Sequence, residues 1–355
     1  MRRAWSPLLA AIAVVGAACG GGAGGPAVAS APGAASPTGV AKPLYEQARK
    51  EGQVVFYSAD DAPTLDRLRK AFAARYPGID VLGQEGQGQD AREKIIAEQA
   101  AKRVVADVVS AGGNTMADLG EQGYLEPYQS REVANLLPGI ADKKGFVNPR
   151  YVNVYGITIN TKLIGPQDEP KRWKDLADPK YKGKIAIQDP RGSGGGLYVI
   201  TGLLETYGDA FLADLAKQQI AFARNNAQGM TDVVRGERGI HMSASANDSL
   251  TARKEGAPIK FLQPAEGMVL IPIGLAVVKN APHPNASRLF IDWLLSEEGQ
   301  KVVAETNTPA RKGIAAKDTP ADLSNVKVLV MKYDGSDRKE TADLSKKYEA
   351  LFFPK

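Results

Sequence analysis

The residues best suited to hold a charged group lie in one stretch, Asp189-Pro190-Arg191-Gly192-Ser193-Gly194-Gly195-Gly196. Consecutive glycines let backbone amides approach a ligand closely, and an apolar helical pattern begins at once, so unpaired N–H groups and the positive end of a helix dipole would face an anion there. Arg191, Gly192, Ser193, Gly194 and Gly195 are therefore candidate contacts, Arg191 offering a bidentate fork to a carboxylate or phosphonate. No Gly-Lys-Ser/Thr follows, so the stretch is not a P-loop. Two bland readings stay open beside this one: a tight strand-to-helix connection, and for Arg191 a surface ion pair. Further candidates occupy loops that follow apolar strand patterns: Ser58 and Asp60, Asn114 and Thr115, Asn225 and Asn226, Ser245, Asn247 and Asp248, with Glu266 nearby in sequence. Aspartate is equally favoured as a helix N-cap, as at Asp61. If some carboxylates share the site with the glycine loop, a zwitterion would satisfy both signs of charge. Ser193 lies in no Gly-x-Ser-x-Gly elbow, and His241 and His283 have no ligand spacing, so no catalytic residue, metal site or cofactor is expected.

The elements that must carry these loops alternate. Gln53 to Tyr57 is a β-rich run, followed by a helix with Leu65, Leu68, Phe72 and Tyr76 on one face and a stop at Pro77-Gly78. A strand from Ile79 to Leu82, a polar helix near Ala91 to Lys102 and a strand Asp107 to Ser110 leading into a Gly112–Thr115 loop complete one α/β series. From Tyr151 to Asn160 the alternation changes phase at Tyr155-Gly156, which predicts a bend where a strand leaves one sheet for another. A second series follows: Ile185 to Ile187, the glycine loop, a helix aligned on Leu197, Ile200, Leu204 and Tyr207, another from Asp209, and a strand Ile240 to Ser243. The apolar run Met268 to Val278 is expected to cross back, ahead of an amphipathic helix with Leu289, Phe290, Trp293, Leu294 and Val303 inward. Roughly 310 residues follow Ala41, more than one core usually organises.

The ends and the composition set the compartment. Met1-Arg2-Arg3 and the apolar stretch Pro7 to Ala18 read as a signal peptide over 1–18, too short for the roughly 20 apolar residues of a membrane span. Cys19, the only cysteine, follows Ala17-Ala18 and is read as a lipidated first residue, although Gly16 stands where such signals usually carry a branched apolar residue. Residues 19–41, built from Gly, Ala, Pro and Ser, read as a flexible linker. Net charge is +5, with basic and acidic residues interspersed, which gives no footprint for nucleic acid.

The segment Trp173 to Ile185 (WKDLADPKYKGKI), with Lys279-Asn280-Ala281-Pro282 running into Phe290-Ile291-Asp292-Trp293-Leu294, resembles the extracellular solute-binding proteins of ABC importers, in the branch of the ferric-ion-binding proteins. The resemblance implies a two-lobed type II periplasmic-binding fold, α/β in class, each lobe a mixed sheet flanked by helices and joined to the other by two crossing strands. The expected division is 42–153 plus 268–312 for one lobe and 154–267 plus 313–355 for the other. A monomeric receptor would trap a small organic anion or zwitterion between the lobes and deliver it to an ABC permease of the inner membrane, from the periplasm or the outer face of the cytoplasmic membrane. A sensory receptor of the same fold is an alternative output. A ferric role is another, but adjacent tyrosines mark that branch, and the matching stretch here reads Ser243-Ala244-Ser245-Ala246-Asn247-Asp248-Ser249-Leu250. Tyr151 and Tyr155 could compensate only from the crossing strand, where packing or hinge roles are expected, as core roles are for Trp173 and Trp293.

Replacing Cys19 by Ser is expected to abolish incorporation of labelled palmitate and release the protein from the membrane fraction; unchanged labelling would overturn the lipidation reading.

Overall fold

The computed structural model describes residues 42–85, 88–192, 194–317, 327–335 and 337–354; Cys19, the signal, the linker and Ser193 lie outside them. The chain runs α1 (Lys42–Glu51), β1 (Gln53–Ser58), α2 (Ala62–Arg75), β2 (Asp80–Glu85), α3 (Gly88–Ala100), β3 (Val108–Gly112), α4 (Gly113–Glu121), β4 (Leu125–Glu126), β5 (Asn148–Tyr155) and β6 (Ile157–Asn160). It continues through β7 (Ile185–Gln188), α5 (Gly195–Ala216), β8 (Ala221–Ala223), α6 (Asn226–Val234), β9 (Ile240–His241), α7 (Ala246–Lys254), β10 (Ile259–Leu262) and β11 (Val269–Val278). The last elements are α8 (Pro284–Leu295), α9 (Glu297–Val303), β12 (Thr308–Pro309) and α10 (Arg338–Phe352).

Two mixed sheets result. Lobe 1 is built on β12-β5-β11-β3-β1-β2, with β4 beside β11, and lobe 2 on β10-β6-β9-β7-β8. The phase change at Tyr155-Gly156 is the switch between them, since β5 pairs with β11 while β6 pairs with β9 and β10. The return runs from β10 in lobe 2 to β11, which lies antiparallel between β5 and β3. Both faces of each sheet are covered, which is why the strands read as nearly continuous apolar runs. In lobe 1, Val54, Phe56, Val152, Val154 and Leu275 pack beneath α2 and α8, and Val55, Tyr57, Val109 and Ala276 face α3 and α4. Phe72 meets Phe290 and Trp293 edge-on at 5.2 and 5.3 Å, the arrangement that aromatic quadrupoles favour. The first described helix, α1, joins this core through Tyr45 and Ala48 and packs on α8. Lobe 2 packs Ile157, Ile159, Ile185, Leu197 and Ile240 around Trp173, whose indole N–H donates to the Gly267 carbonyl at 2.8 Å. Leu329, Tyr333 and Tyr348 of the closing segment belong to the same cluster.

Local departures from the sequence expectations have local causes. Gly112 to Thr115 is not a loop, because α4 begins at Gly113 and takes Asn114 and Thr115 into its first turn. The strand expected over 240–243 stops at His241, since the Ser243 N–H turns back to His241 Nδ1 at 3.2 Å. The helices expected on either side of Tyr207 run on as one element kinked at Gly208, whose φ of 77° a side chain would disfavour.

At the crossing, a Cβ on Gly156 would lie 2.6 Å from the Leu262 carbonyl oxygen and 2.6 Å from Phe261 Cζ. Gly156→Ala is therefore expected to lower stability by about 1–3 kcal/mol, read as a reduced urea midpoint; an unchanged midpoint would show that the two crossing strands are not so tightly apposed.

Candidate functional site

The carboxyl ends of the parallel strands define the edge at which loops and helix starts gather. Register fixes this edge in lobe 1: Ile273 of β11 pairs with Gly112, the last residue of β3, and also with Tyr151 of β5. Tyr151 and its neighbour Arg150 therefore stand level with the end of β3 and with the loop that follows β1. That loop holds Ser58, whose hydroxyl donates to Asp60 and accepts from the Asp60 N–H at 3.0 Å. Asp60 accepts from Arg150 Nη1 at 2.6 Å, in a pair whose side chains are 6% and 1% exposed. The Arg150 guanidinium lies 5.5 Å from the Phe56 ring centroid and 5.4 Å from that of Tyr151. Arg150 was not apparent as a site residue from the sequence. The available signal was its parity: it shares the strand face of the buried Val152 and Val154, where a charge needs a partner.

Lobe 2 contributes three helix starts. Gly194, with φ 102°, precedes α5 without a side-chain cap, and a Cβ on Gly195 would fall 2.5 Å from Tyr155 Cε1 and 2.9 Å from the Ser243 carbonyl oxygen. Gly195 thus admits Tyr155 of the crossing strand against the start of α5. Asn225 caps α6 by accepting from the Gln228 N–H at 2.9 Å, and Asn226 accepts from the Ser243 hydroxyl at 3.3 Å and hydrogen-bonds Tyr155. Ser245 and Asp248 form a reciprocal capping box on α7, Ser245 Oγ accepting from the Asp248 N–H at 3.1 Å and the Asp248 carboxylate accepting from the Ser245 N–H at 3.3 Å, with Asn247 half-buried between them. Ser245 also bridges to Tyr155. Burial pushes the Tyr155 and Tyr151 phenols upward from their usual range, so both stay neutral and able to donate.

The lobes share a cavity of about 500 Å3, lined by Asn114 and Thr115 of α4, by Arg191 and Gly192 of the glycine loop, and by Arg92, Asp118 and Arg338. Asp118 pairs with both Arg92 and Arg338, which ties α3 and α4 of lobe 1 to α10. Arg191 is paired in turn: its Nε and Nη2 donate to the Asp189 carboxylate at 3.0 and 2.6 Å, and its guanidinium stacks 3.7 Å from the Phe353 ring centroid. Glu266, expected near the cleft loops, stands elsewhere. It accepts from the Trp173 N–H at 3.2 Å and from the Tyr207 hydroxyl, far along α5 and roughly 18 Å from Gly195. Its role there is to hold the turn before β11 against lobe 2. Among the described residues, no group of three or more His, Cys, Asp or Glu side chains is arranged to hold a metal ion.

His241 lies beneath this edge. Its Nδ1 accepts from Ser243, so Nε2 carries the proton toward the Asn226 carbonyl at 3.4 Å, and burial lowers its pKa from 6.5 to about 4. The unfolded chain then binds more protons than the folded one between those values, so stability is complete above pH 6.5 and is lost as pH falls toward 4, by on the order of 3 kcal/mol. In His241→Gln, the urea midpoint should fall less steeply over that window; an identical slope would overturn the assignment.

Residues 104–339 match the family described as bacterial extracellular solute-binding protein. An uncharacterized protein of Haemophilus influenzae is 27% identical over 313 residues, spanning 82% of this chain and 89% of that protein. A Salmonella typhimurium periplasmic protein named for 2-aminoethylphosphonate binding is 24% identical over 254 residues, 68% of this chain and 72% of its own length. In fold, the chain is similar to the Trichodesmium IdiA/FutA protein solved with iron and citrate, with a TM-score of 0.73 at 23% identity over 84% of this chain and 99% of that one. It is also similar to AfuA of Actinobacillus pleuropneumoniae solved with fructose-6-phosphate, with a TM-score of 0.64 at 24% identity over 86% and 99%. The match across most of the described body, on two mixed sheets joined by crossing strands, makes this chain a member of the bacterial extracellular solute-binding protein family.

Proposed function

We propose that the protein is the exported receptor of an ABC importer and captures a small organic anion or zwitterion between its lobes. The observation that carries this reading is the shared cavity, in which α4 of lobe 1 and the glycine loop of lobe 2 supply polar groups to one space. At the same strand-end edge, the uncapped start of α5 offers backbone donors and the neutral phenols of Tyr151 and Tyr155 offer hydroxyls, a set suited to oxygen anions. The relatives' names point to phosphonate, sugar phosphate and iron with citrate, and the first two share an oxyanion with the proposed solute. In this reading Cys19 holds the protein to the membrane, 42–153 with 268–312 forms one lobe, 154–267 with 313–355 forms the other, and the monomer presents its loaded form to the permease without turning the solute over. Closing the lobes removes water from the polar contacts and strengthens them, and the solute favours the closed form by its better contacts there.

A ferric-ion role is the second reading, favoured by Tyr151 and Tyr155 standing within electrostatic reach of Asp60 and Asp248 respectively. Titration calorimetry with 2-aminoethylphosphonate, 3-phosphoglycerate and ferric chloride separates the two. An organic anion is expected to bind with micromolar affinity, about 8 kcal/mol, and to reduce the radius of gyration in solution scattering. Binding of ferric ion alone would overturn the anion reading.

A further inference from the structure

We infer that Arg150 is the anchor for the oxyanion of the solute, taking a carboxylate, phosphonate or phosphate group side-on through Nε–H and Nη2–H. The inference rests on the reading of the cleft as an anion receptor and names the residue and the geometry that select the ligand. Arg150 is 1% exposed, and among the described residues its Nε and Nη2 have no hydrogen-bond partner, whereas Nη1 is held by Asp60 at 2.6 Å. Buried polar groups are nearly always paired, so two adjacent unpaired donors on one cation mark a place where something else binds.

The edge is the right one and it is fixed in place. Nε and Nη2 are the side of the guanidinium that forms parallel bonds to two oxygens. This chain uses that same side on its own carboxylates: Arg191 forks onto both oxygens of Asp189 at 3.0 and 2.6 Å, and Arg172 sets Nε and Nη2 on the single oxygen Oδ1 of Asp175 at 3.0 and 2.7 Å. On Arg150 it is left over. The rings of Phe56 and Tyr151 lie against the guanidinium, Asp60 fixes its far corner, and Gln300 Nε2 donates to the Arg150 carbonyl at 2.7 Å, so side chain and backbone are both preorganised. Asp60 cancels the arginine's charge, which leaves an incoming anion to be balanced by the helix starts of lobe 2.

Access follows from the lobes. Arg150 stands at the carboxyl edge of the lobe 1 sheet, and α7 of lobe 2 packs against β5, with Ala246 in the same apolar cluster as Val152 and Val154. Parting the lobes lifts α7 from β5 and opens this edge; closing them seals the anion against the arginine in a dry site, where the bidentate contact is strongest.

The test is calorimetric titration of the purified protein with 2-aminoethylphosphonate, 3-phosphoglycerate and citrate, repeated for Arg150→Lys and Arg150→Met, with Arg172→Lys as the control. Lysine keeps the charge and loses the fork, so Arg150→Lys is expected to weaken binding about tenfold or more, Arg150→Met more still, and Arg172→Lys not at all. A second measurement does not depend on the variants folding: in arginine-labelled wild-type protein, the Arg150 Nε–H resonance should move downfield as the anion is added. Wild-type binding with a stationary Nε–H signal and undiminished affinity in both Arg150 variants would overturn the anchor while leaving the receptor reading intact. Failure of all three anions to bind the wild type would overturn both.

Discussion

The antiparallel pairing of β5 with β11 is the constraint on which the rest of the molecule depends. It runs from Asn148 opposite Leu275 to Tyr155 opposite Val269, at the centre of the lobe 1 sheet. At its far end β5 hands over to β6 and β11 is entered from β10, so two connections between the lobes leave from one ladder, while Leu329 and Tyr348 of the later chain pack back into lobe 2. Two adjacent strands resist stretching and shear but allow bending where their pairing ends, and that is the mechanics a closing cleft requires. The register of this ladder also sets the polar chemistry, because it brings Arg150 and Tyr151 level with the carboxyl ends of β3 and β1.

At the cleft edge, structural and binding duties compete for the same residue types. Ser, Asn and Asp after a strand are favoured as helix caps, and Ser245, Asp248, Asn225 and Asp61 are engaged in that way. Arg191 is engaged with Asp189. Among the described residues, the start of α5 has no side-chain cap, and the inner edge of Arg150 has no hydrogen-bond partner. In the proposed site, backbone dipoles would tolerate several oxyanions and the guanidinium fork would give them direction.

Much of the fold was legible because strand alternation and helix periodicity are local. The parity change at Tyr155-Gly156 located the crossing, and the apolar run into Val278 located the return. The site was legible only in part. A glycine loop after a strand announces itself, and its residues do lie beside Asn114 and Thr115. The place of Glu266 was not legible, because nearness in sequence to a crossing strand says nothing about which end of the lobe the turn occupies; its partners, Trp173 and Tyr207, are set by tertiary packing. Arg150 went unnoticed for the converse reason. Its partner Asp60 lies across the sheet and far away in the chain, and a lone arginine at the start of a strand looks like a solvated charge.

The placement of α1 has a mechanical consequence. Because Tyr45 and Ala48 are embedded in the core of lobe 1 and α1 rests on α8, any pull exerted through the preceding residues is borne by lobe 1 alone. None of the strands that cross between the lobes begins at α1, so a load entering through α1 would pass into α8 and the lobe 1 core before it reached the β5–β11 ladder.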